Sequence, residues 1–246
     1  MATARTPIMR MVRRPPRRMI VQAWQELAGL VALCAGDDWI FRGEHLPDPR
    51  RPRPLRPKAG RPESRKVPYR FADERSLLDL FKRRARPLVG HQPKSDLEWL
   101  AIAQHHGMPT RLLDWTDNLL VAAYFASLRL NTAWGIVYAV HGLREVSIRD
   151  ERSPFEARLP GIYRPPHISP RIPTQGSIFT LHPKPTKTFR PKNLYVWRIT
   201  PLAAGQIKIS LDACAINRSS LFPDLDGLAG YLEWRYKWGR VEPRRE

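Results

Sequence analysis

Three arginines in this chain stand beside backbone positions that are rigid or allow close approach: Arg42 precedes Gly43, Arg111 lies two residues after Pro109, and Arg171 lies two before Pro173. A guanidinium on such a mount presents a planar fork of donors, which suits a phosphate or carboxylate held bidentately. The same residues admit an internal reading, in which Arg42 pairs with Asp114 or Glu44 and Arg111 closes a helix end. Asp114, Trp115, Thr116, Asp117 and Asn118 read as the point where loop becomes helix. Free amides and the positive end of the helix dipole favour an anion there, and Thr116 and Asn118 add donors. An ordinary alternative stands beside this one, with Thr116 a simple N-cap and Trp115 a core residue.

Gln104, His105 and His106 close a predicted helix. Neighbouring helical positions diverge by about 100°, so the two histidines do not face one metal. No HExxH pattern or second ligand cluster accompanies them, and no metal is expected. A single histidine near Asp114 can orient a ligand or move a proton. Tyr124, with Phe125 and Ala126, serves either the core or a ligand platform. The two cysteines, Cys34 and Cys214, form no CxxC pair and indicate neither a zinc cluster nor a disulfide framework.

The elements that must position these side chains follow from periodicity. Ile20, Ala23, Trp24, Leu27, Leu30 and Val31 recur at helical spacing and predict a helix ending near Gly36. Residues 37–43 predict a short strand with Trp39 and Phe41 on one side, Ile40 and Arg42 on the other. A helix from about Asp73 carries Leu77, Leu78, Phe81 and Ala85. Ser95 and Glu98 match a capping box that starts a helix running to Gly107. Thr116 is expected to cap a helix through Leu130, ended by Asn131. Residues 135–140, 178–182 and 194–200 predict strands, residues 151–174 an irregular Pro-rich stretch, and residues 204–216 and 224–238 two closing helices. Helices grouped between dispersed strands point to an α+β fold with a small mixed or antiparallel sheet.

Of 246 residues, 42 are Lys or Arg and 23 Asp or Glu, a net charge of +19. Residues 1–70 alone hold 16 basic and 6 acidic side chains, a net of +10, concentrated in proline-laced runs at 13–18 and 50–58. Such runs stay extended because proline fixes φ and like charges repel. They suit either a solubilising role or contact with the phosphate backbone of DNA or RNA. Residues 1–18 are read as a basic flexible arm, residues 19–240 as one domain, and residues 45–68 as a long basic loop with little to bury and the composition of a disordered segment. No stretch reaches the roughly 18 apolar residues of a membrane span, and residues 19–33 lack a signal peptide's unbroken apolar run. The expected compartment is the cytoplasm, with no membrane partner.

Two motifs carry a resemblance: Trp39-Ile40-Phe41-Arg42-Gly43-Glu44 and the block QHHGMPTRLLDWTDNLLVAAYFA at residues 104–126. Together they resemble the FRG-domain family, whose hallmarks are an aromatic-Arg-Gly turn and a QHxGxPTRLLDWT block ending in AxYFA. Residues 171–175 with Phe179 and His182, and the turn at 221–227, extend the likeness to about residues 20–235, with 45–68 standing apart from it. A more distant likeness is to arginine-type ADP-ribosyltransferases, in which a strand Arg grips NAD phosphates, a Ser/Thr strand braces the site and a late-strand glutamate stabilises the ribosyl cation. Arg42 resembles the first element and Thr116 the second, while Gln175 stands where the carboxylate would be. An amide can hold a ribose hydroxyl but supplies no negative charge.

The resemblance implies a phosphorylated small molecule, NAD or another nucleotide, bound by Glu44, Gln104, His105, Thr110, Arg111, Asp114, Asn118, Tyr124 and Arg171. It places Arg42, Thr116 and Gln175 at the centre of any transferase chemistry. The competing expectation is a nucleic-acid-binding module that works through the basic arm and loop. A third, a structural or partner-binding role such as bacterial anti-phage defence, has no sign in the residues.

Overall fold

The computed structural model describes residues 14–36, 38–46, 48, 53–64, 66–90, 92–129, 133–166 and 170–238. Among them seven strands form one mixed sheet: β1 (Arg18–Val21), β2 (Trp39–Leu46), β3 (Leu112–Thr116), β4 (Trp134–His141), β5 (Gly161–Tyr163), β6 (Ser177–Leu181) and β7 (Leu194–Ile199). Their spatial order is β1-β7-β4-β2-β3-β6-β5. Strands β1 and β7 run parallel, and the other neighbouring pairs are antiparallel. The helices are α1 (Trp24–Leu33), α2 (Phe71–Ala85), α3 (Asp96–His105), α4 (Leu119–Ala126), α5 (Ile148–Arg152), α6 (Arg171–Thr174), α7 (Pro201–Ala213), α8 (Arg218–Leu221) and α9 (Leu225–Lys237). The fold is α+β, as expected, with a larger sheet than periodicity suggested.

The sheet is larger because three strands hide in the sequence. Strand β3 has Leu112, Leu113 and Trp115 buried. A strand covered on both faces loses the polar alternation that would mark it. Strand β5 lies inside the stretch expected to be irregular, as does α6, and β1 takes Ile20 and Val21 out of the predicted first helix. Residues 14–18 are not a free arm: the Arg17 carbonyl oxygen accepts from the Val196 amide at 2.8 Å, and the Pro16 carbonyl oxygen accepts from Trp197 Nε1 at 2.8 Å. Residues 1–13 of the expected arm lie outside the described residues, as do Asp37 at the start of the predicted strand, Arg50 and the predicted helix end at Leu130 and Asn131.

Register decides which side chains share a face. Phe41 pairs with Thr116 and Thr116 with Ser177, while Asp114 pairs with Phe179 and Phe179 with Tyr163. With the two-residue period of a strand, all of these lie on one side of the sheet. Helices α1, α4 and α7 cover one half of that side, around Leu27, Ala122, Trp197 and Ile207. Helices α2 and α3 cover the other half, around Leu78, Leu97, Leu112 and Leu181. A cleft opens where the two covers part.

The opposite side buries Ile40, Leu46, Leu113, Trp115 and Ile178 under Leu55 and Phe189. Leu55 belongs to the basic Pro-rich segment, whose described residues pack: Leu46, Leu55 and Ala59 are buried. The Leu55 carbonyl oxygen accepts from the Phe189 amide at 2.7 Å, and the Ala59 amide donates to the Thr110 carbonyl oxygen at 3.1 Å. Part of the segment is wound into 3-10 turns at Lys58–Gly60 and Pro62–Ser64, and three apolar side chains spaced among prolines suffice to hold it over the sheet.

Candidate functional site

The cleft is built around the Arg42-Gly43 pair in β2. Pairing between β2 and β3 is confined to Phe41 opposite Thr116, and beyond that point the strands part. Arg42 fills the gap, with Nη1 donating to the Asp114 carbonyl oxygen at 2.9 Å in place of a ladder bond and lying 3.5 Å from Oδ2. Its Nε and Nη2 both donate to Glu44 Oε1, at 2.8 and 2.5 Å. Burial alone would lower the Arg42 pKa, but the charges and hydrogen bonds of Glu44 and Asp114 outweigh it and hold the guanidinium above its ordinary value. Gly43 serves a different need. A Cβ there would come within 1.7 Å of the Ala122 carbonyl oxygen, so only glycine lets α4 lie this close to the strand.

Asp114 is aimed by a relay from α3. Ser95 Oγ caps that helix by accepting from the Glu98 amide at 3.2 Å, while the Glu98 carboxylate accepts from the Lys94 amide. The expected reciprocal bond to Ser95 is therefore displaced by one residue. At the other end Gly107 takes φ +85, and the Met108 amide donates back to the Ala103 carbonyl oxygen at 2.9 Å, turning the chain into β3. This reversal brings Thr110 and Asp114 to Gln104. Thr110 Oγ1 donates to Gln104 Oε1 at 2.6 Å, which orients the amide, and Gln104 Nε2 donates to both oxygens of Asp114 at 3.0 Å. Asp114 thus gathers bonds from two sides and still leaves its side chain 54% exposed to the cleft.

The far wall comes from α6 and the turn before α9. Gln175 Nε2 donates to the Leu221 carbonyl oxygen at 2.9 Å, and Arg171 pairs with Asp224, itself the N-cap of α9 through the Gly227 amide at 2.7 Å. The Arg171 guanidinium also lies 5.2 Å from the centroid of the Phe222 ring. Gly176 takes φ +52 and faces Asp117 Oδ1, which a Cβ would approach to 2.0 Å. Its carbonyl oxygen accepts from the Asp117 amide at 3.1 Å, locking α6 to the end of β3.

The resulting cleft has a volume of about 320 Å³. Arg42, Gln104, His105, Asp114, Thr116, Arg171 and Gln175, which sequence reasoning singled out on separate stretches, line it together. Phe41, Phe125, Phe179 and Phe222 supply its aromatic surface. His105 is partly enclosed, and burial, then the neighbouring His106 and Arg171, lower its pKa below the ordinary imidazole value. His106 points to solvent.

Other expected contacts lie elsewhere. Arg111 is fully buried, with Nε and Nη2 on the two oxygens of Glu74 at 3.1 and 2.8 Å and its guanidinium carbon 4.2 Å from the Phe155 ring centroid. It holds the fold through this buried ion pair with Glu74, where the internal reading had it closing a helix end. Thr110 is buried behind Gln104. Asn118, not Thr116, caps α4, accepting from the Leu120 amide at 2.9 Å. Thr116 Oγ1 instead donates to the Gln175 carbonyl oxygen at 2.7 Å and accepts from the Asn118 amide at 3.1 Å. Glu44 backs Arg42 without lining the cleft, and Tyr124 lines a second cavity on the other side of α4. Phe125 takes the ligand-platform alternative left open for it, while Phe222 and Asp224 were not expected at the site. Nothing local distinguishes them from core or loop residues, and only the docking of residues 221–227 against α6 gives them a role.

Residues 37–133 match the family model of the FRG domain. The match contains the cleft residues from Phe41 to Phe125, Arg42, Gln104, His105, Asp114 and Thr116 among them, and the others, Arg171, Gln175, Ser177, Phe179 and Phe222, follow it in the chain. No match is found among curated proteins or among solved structures. Among the described residues, no helix is long and apolar enough to cross a membrane.

Proposed function

Because this chain is an FRG-domain protein, we propose that its cleft binds a small phosphorylated ligand that carries an aromatic ring, a nucleotide or one half of NAD. The observation that carries the proposal is the meeting of charged and amide side chains with four phenylalanine rings in one open cavity. Ligand sites commonly combine an apolar wall with a few convergent polar groups, and about 320 Å³ is at the small end of their range. The phenylalanines suit a planar base. Asp114 and Gln175 suit ribose hydroxyls, which donate to a carboxylate or an amide oxygen. Arg171, over Phe222 and paired with the equally part-exposed Asp224, suits the phosphate because it is the more exposed guanidinium, while Arg42, more deeply buried between Glu44 and Asp114, acts by holding Asp114 in place.

With NAD as ligand, Asp114 is the carboxylate that lines the cleft and so can face a ribosyl cation as nicotinamide departs, a role that Gln175 cannot take. Titration of AMP, ADP and NAD by calorimetry is expected to give saturable binding for at least one. Phe222→Ala and Arg171→Met are each expected to weaken it about tenfold, the scale of one lost charge-assisted bond or ring contact. Absence of heat for all three sinks the ligand proposal. Labelled NAD that binds without passing label to water or to an acceptor removes only the transfer step.

A second reading rests on β1, which places Arg17 and Arg18 exposed at one edge of the sheet, with Arg198 on the adjacent β7. A basic edge of this kind suits a nucleic-acid backbone. Its test is Arg17→Gln with Arg18→Gln rather than truncation, since removal of residues 1–18 would strip bonds from β7. Unchanged salt dependence of RNA and DNA affinity would count against it.

A further inference from the structure

We propose a second ligand site, for a phosphate group, in the cavity enclosed by α4, α7, α8 and α9. The cavity has a volume of about 320 Å³ and is lined by Tyr124, Lys208, Asp212, Arg218, Glu233 and Trp234, with Lys237 at its margin. None of these residues belongs to the cleft described above.

Two cations in this cavity, the part-buried Lys208 and the exposed Arg218, lack a protein acceptor among the described residues. Among the described residues, no ion pair or hydrogen bond engages the Lys208 ammonium or the Arg218 guanidinium. The carboxylates that could have neutralised them are engaged otherwise: Asp212 Oδ1 accepts from Asn217 Nδ2 at 3.0 Å, and Glu233 Oε1 pairs with Lys237 Nζ at 2.5 Å. Lys208 meets only the face of Trp234, 5.2 Å from the ring centroid. Burial, then the like charge of Arg218, lowers the Lys208 pKa, the mark of an ammonium that has lost water without gaining an anion.

Trp234 supplies an independent sign. Its indole Nε1 is buried without a hydrogen-bond partner among the described residues, and the residue lines the cavity beside Tyr124, whose hydroxyl no side-chain hydrogen bond uses. A buried donor without a partner is costly, and it persists where something else satisfies it. The Arg218 guanidinium lies against Gly230 of α9, 2.5 Å from where a Cβ would stand.

Two unpaired cations and a phenolic hydroxyl, all donors, call for an oxygen-rich anion of tetrahedral or forked shape. A phosphate presents several acceptor oxygens to donors that reach the cavity from different helices. The group is either inorganic phosphate or the phosphate of a small monoester, with the Trp234 and Tyr231 rings alongside it.

The test is calorimetry with inorganic phosphate and with AMP at constant ionic strength. It uses the full chain carrying Arg171→Met and Phe222→Ala together, so that the first cleft is weakened about a hundredfold and its contribution to AMP binding is small. Millimolar or tighter binding of phosphate is expected, and Lys208→Met and Arg218→Gln should each weaken it about tenfold. Tyr124→Phe keeps the ring and should weaken it less. Lys208→Met should also raise Tm, because it removes a desolvated, unpaired charge, which guards against reading lost binding as lost folding. Equal affinity for the two ligands identifies free phosphate and tighter AMP a monoester. No binding of either, equal displacement by chloride, or affinity unchanged in both cation variants overturns the proposal.

Discussion

Arg42 and Arg111 flank the same strand, β3, and each is held by carboxylates, yet they sit in opposite kinds of surroundings. Arg111 is sealed: Glu74 takes its fork, Phe71 and Phe155 close over the guanidinium at 5.4 and 4.2 Å, and no cavity of the cleft reaches it. Arg42 stands at a gap in the sheet, and one of its carboxylates, Asp114, opens on the cleft. The lesson is that an arginine-carboxylate pair says nothing about function until the space beside it is known. The sealed pair must be kept for stability, whereas the open pair can exchange a bond with a ligand at little cost.

Neutralising the acid on each side gives the sharpest contrast. Glu74→Gln leaves a buried guanidinium without its counter-charge and should cost about 3–5 kcal/mol in urea unfolding. A loss below about 1 kcal/mol would erase the distinction between the two regions. The cleft depends instead on close backbone approach. Gly43→Ala sets a methyl against the Ala122 carbonyl and should cost about 3 kcal/mol, the upper end of the overpacking range. Wild-type stability in that variant would mean that α4 can shift away from β2 freely.

Acid should damage the sealed region next. His182 follows β6, its amide donates to the Arg111 carbonyl oxygen, and Nε2 lies 2.8 Å from Thr180 Oγ1. Burial lowers its pKa from 6.5 to about 4. An unfolded imidazole takes a proton as pH falls through 6.5, while the folded one resists until about 4, so the unfolded state binds more protons between these values. Stability contributed above pH 6.5 is therefore lost as pH falls and is gone below about 4, a loss of about 3 kcal/mol. Unfolding free energies followed from pH 7 to 4 should show this slope in the wild type and a shallower one in His182→Phe. The smallest effect belongs to the open region, where Asp114→Asn, half exposed and easily hydrated, should change stability by about 1 kcal/mol or less while weakening nucleotide binding. A large unfolding effect there would make Asp114 a structural residue and leave the cleft without its exposed carboxylate.

Much of the cleft was legible before its shape was known. Arg42, Gln104, His105 and Asp114 belong to motifs whose residue types already pointed to recognition of an anion or a hydroxyl, and all four line the cavity. Arg111 belongs to the same run and looked equivalent. Its fate depends on Glu74, 37 residues away, a pairing that no local pattern announces. Thr116 looked like a helix cap because the strand that precedes it, buried on both faces, shows no alternation, and the capping role passed to Asn118.

Local chemistry in the sequence was enough to determine most of the helices, four of the strands in outline and the residue types that line the cleft. Only the tertiary structure decided which guanidinium is sealed and which faces a cavity, where the far wall of the cleft comes from, and that Tyr124 belongs to a different pocket. The reason is physical. Propensity and periodicity act over a few residues, whereas burial, charge pairing and cavity shape depend on segments that meet only when the sheet order brings them together.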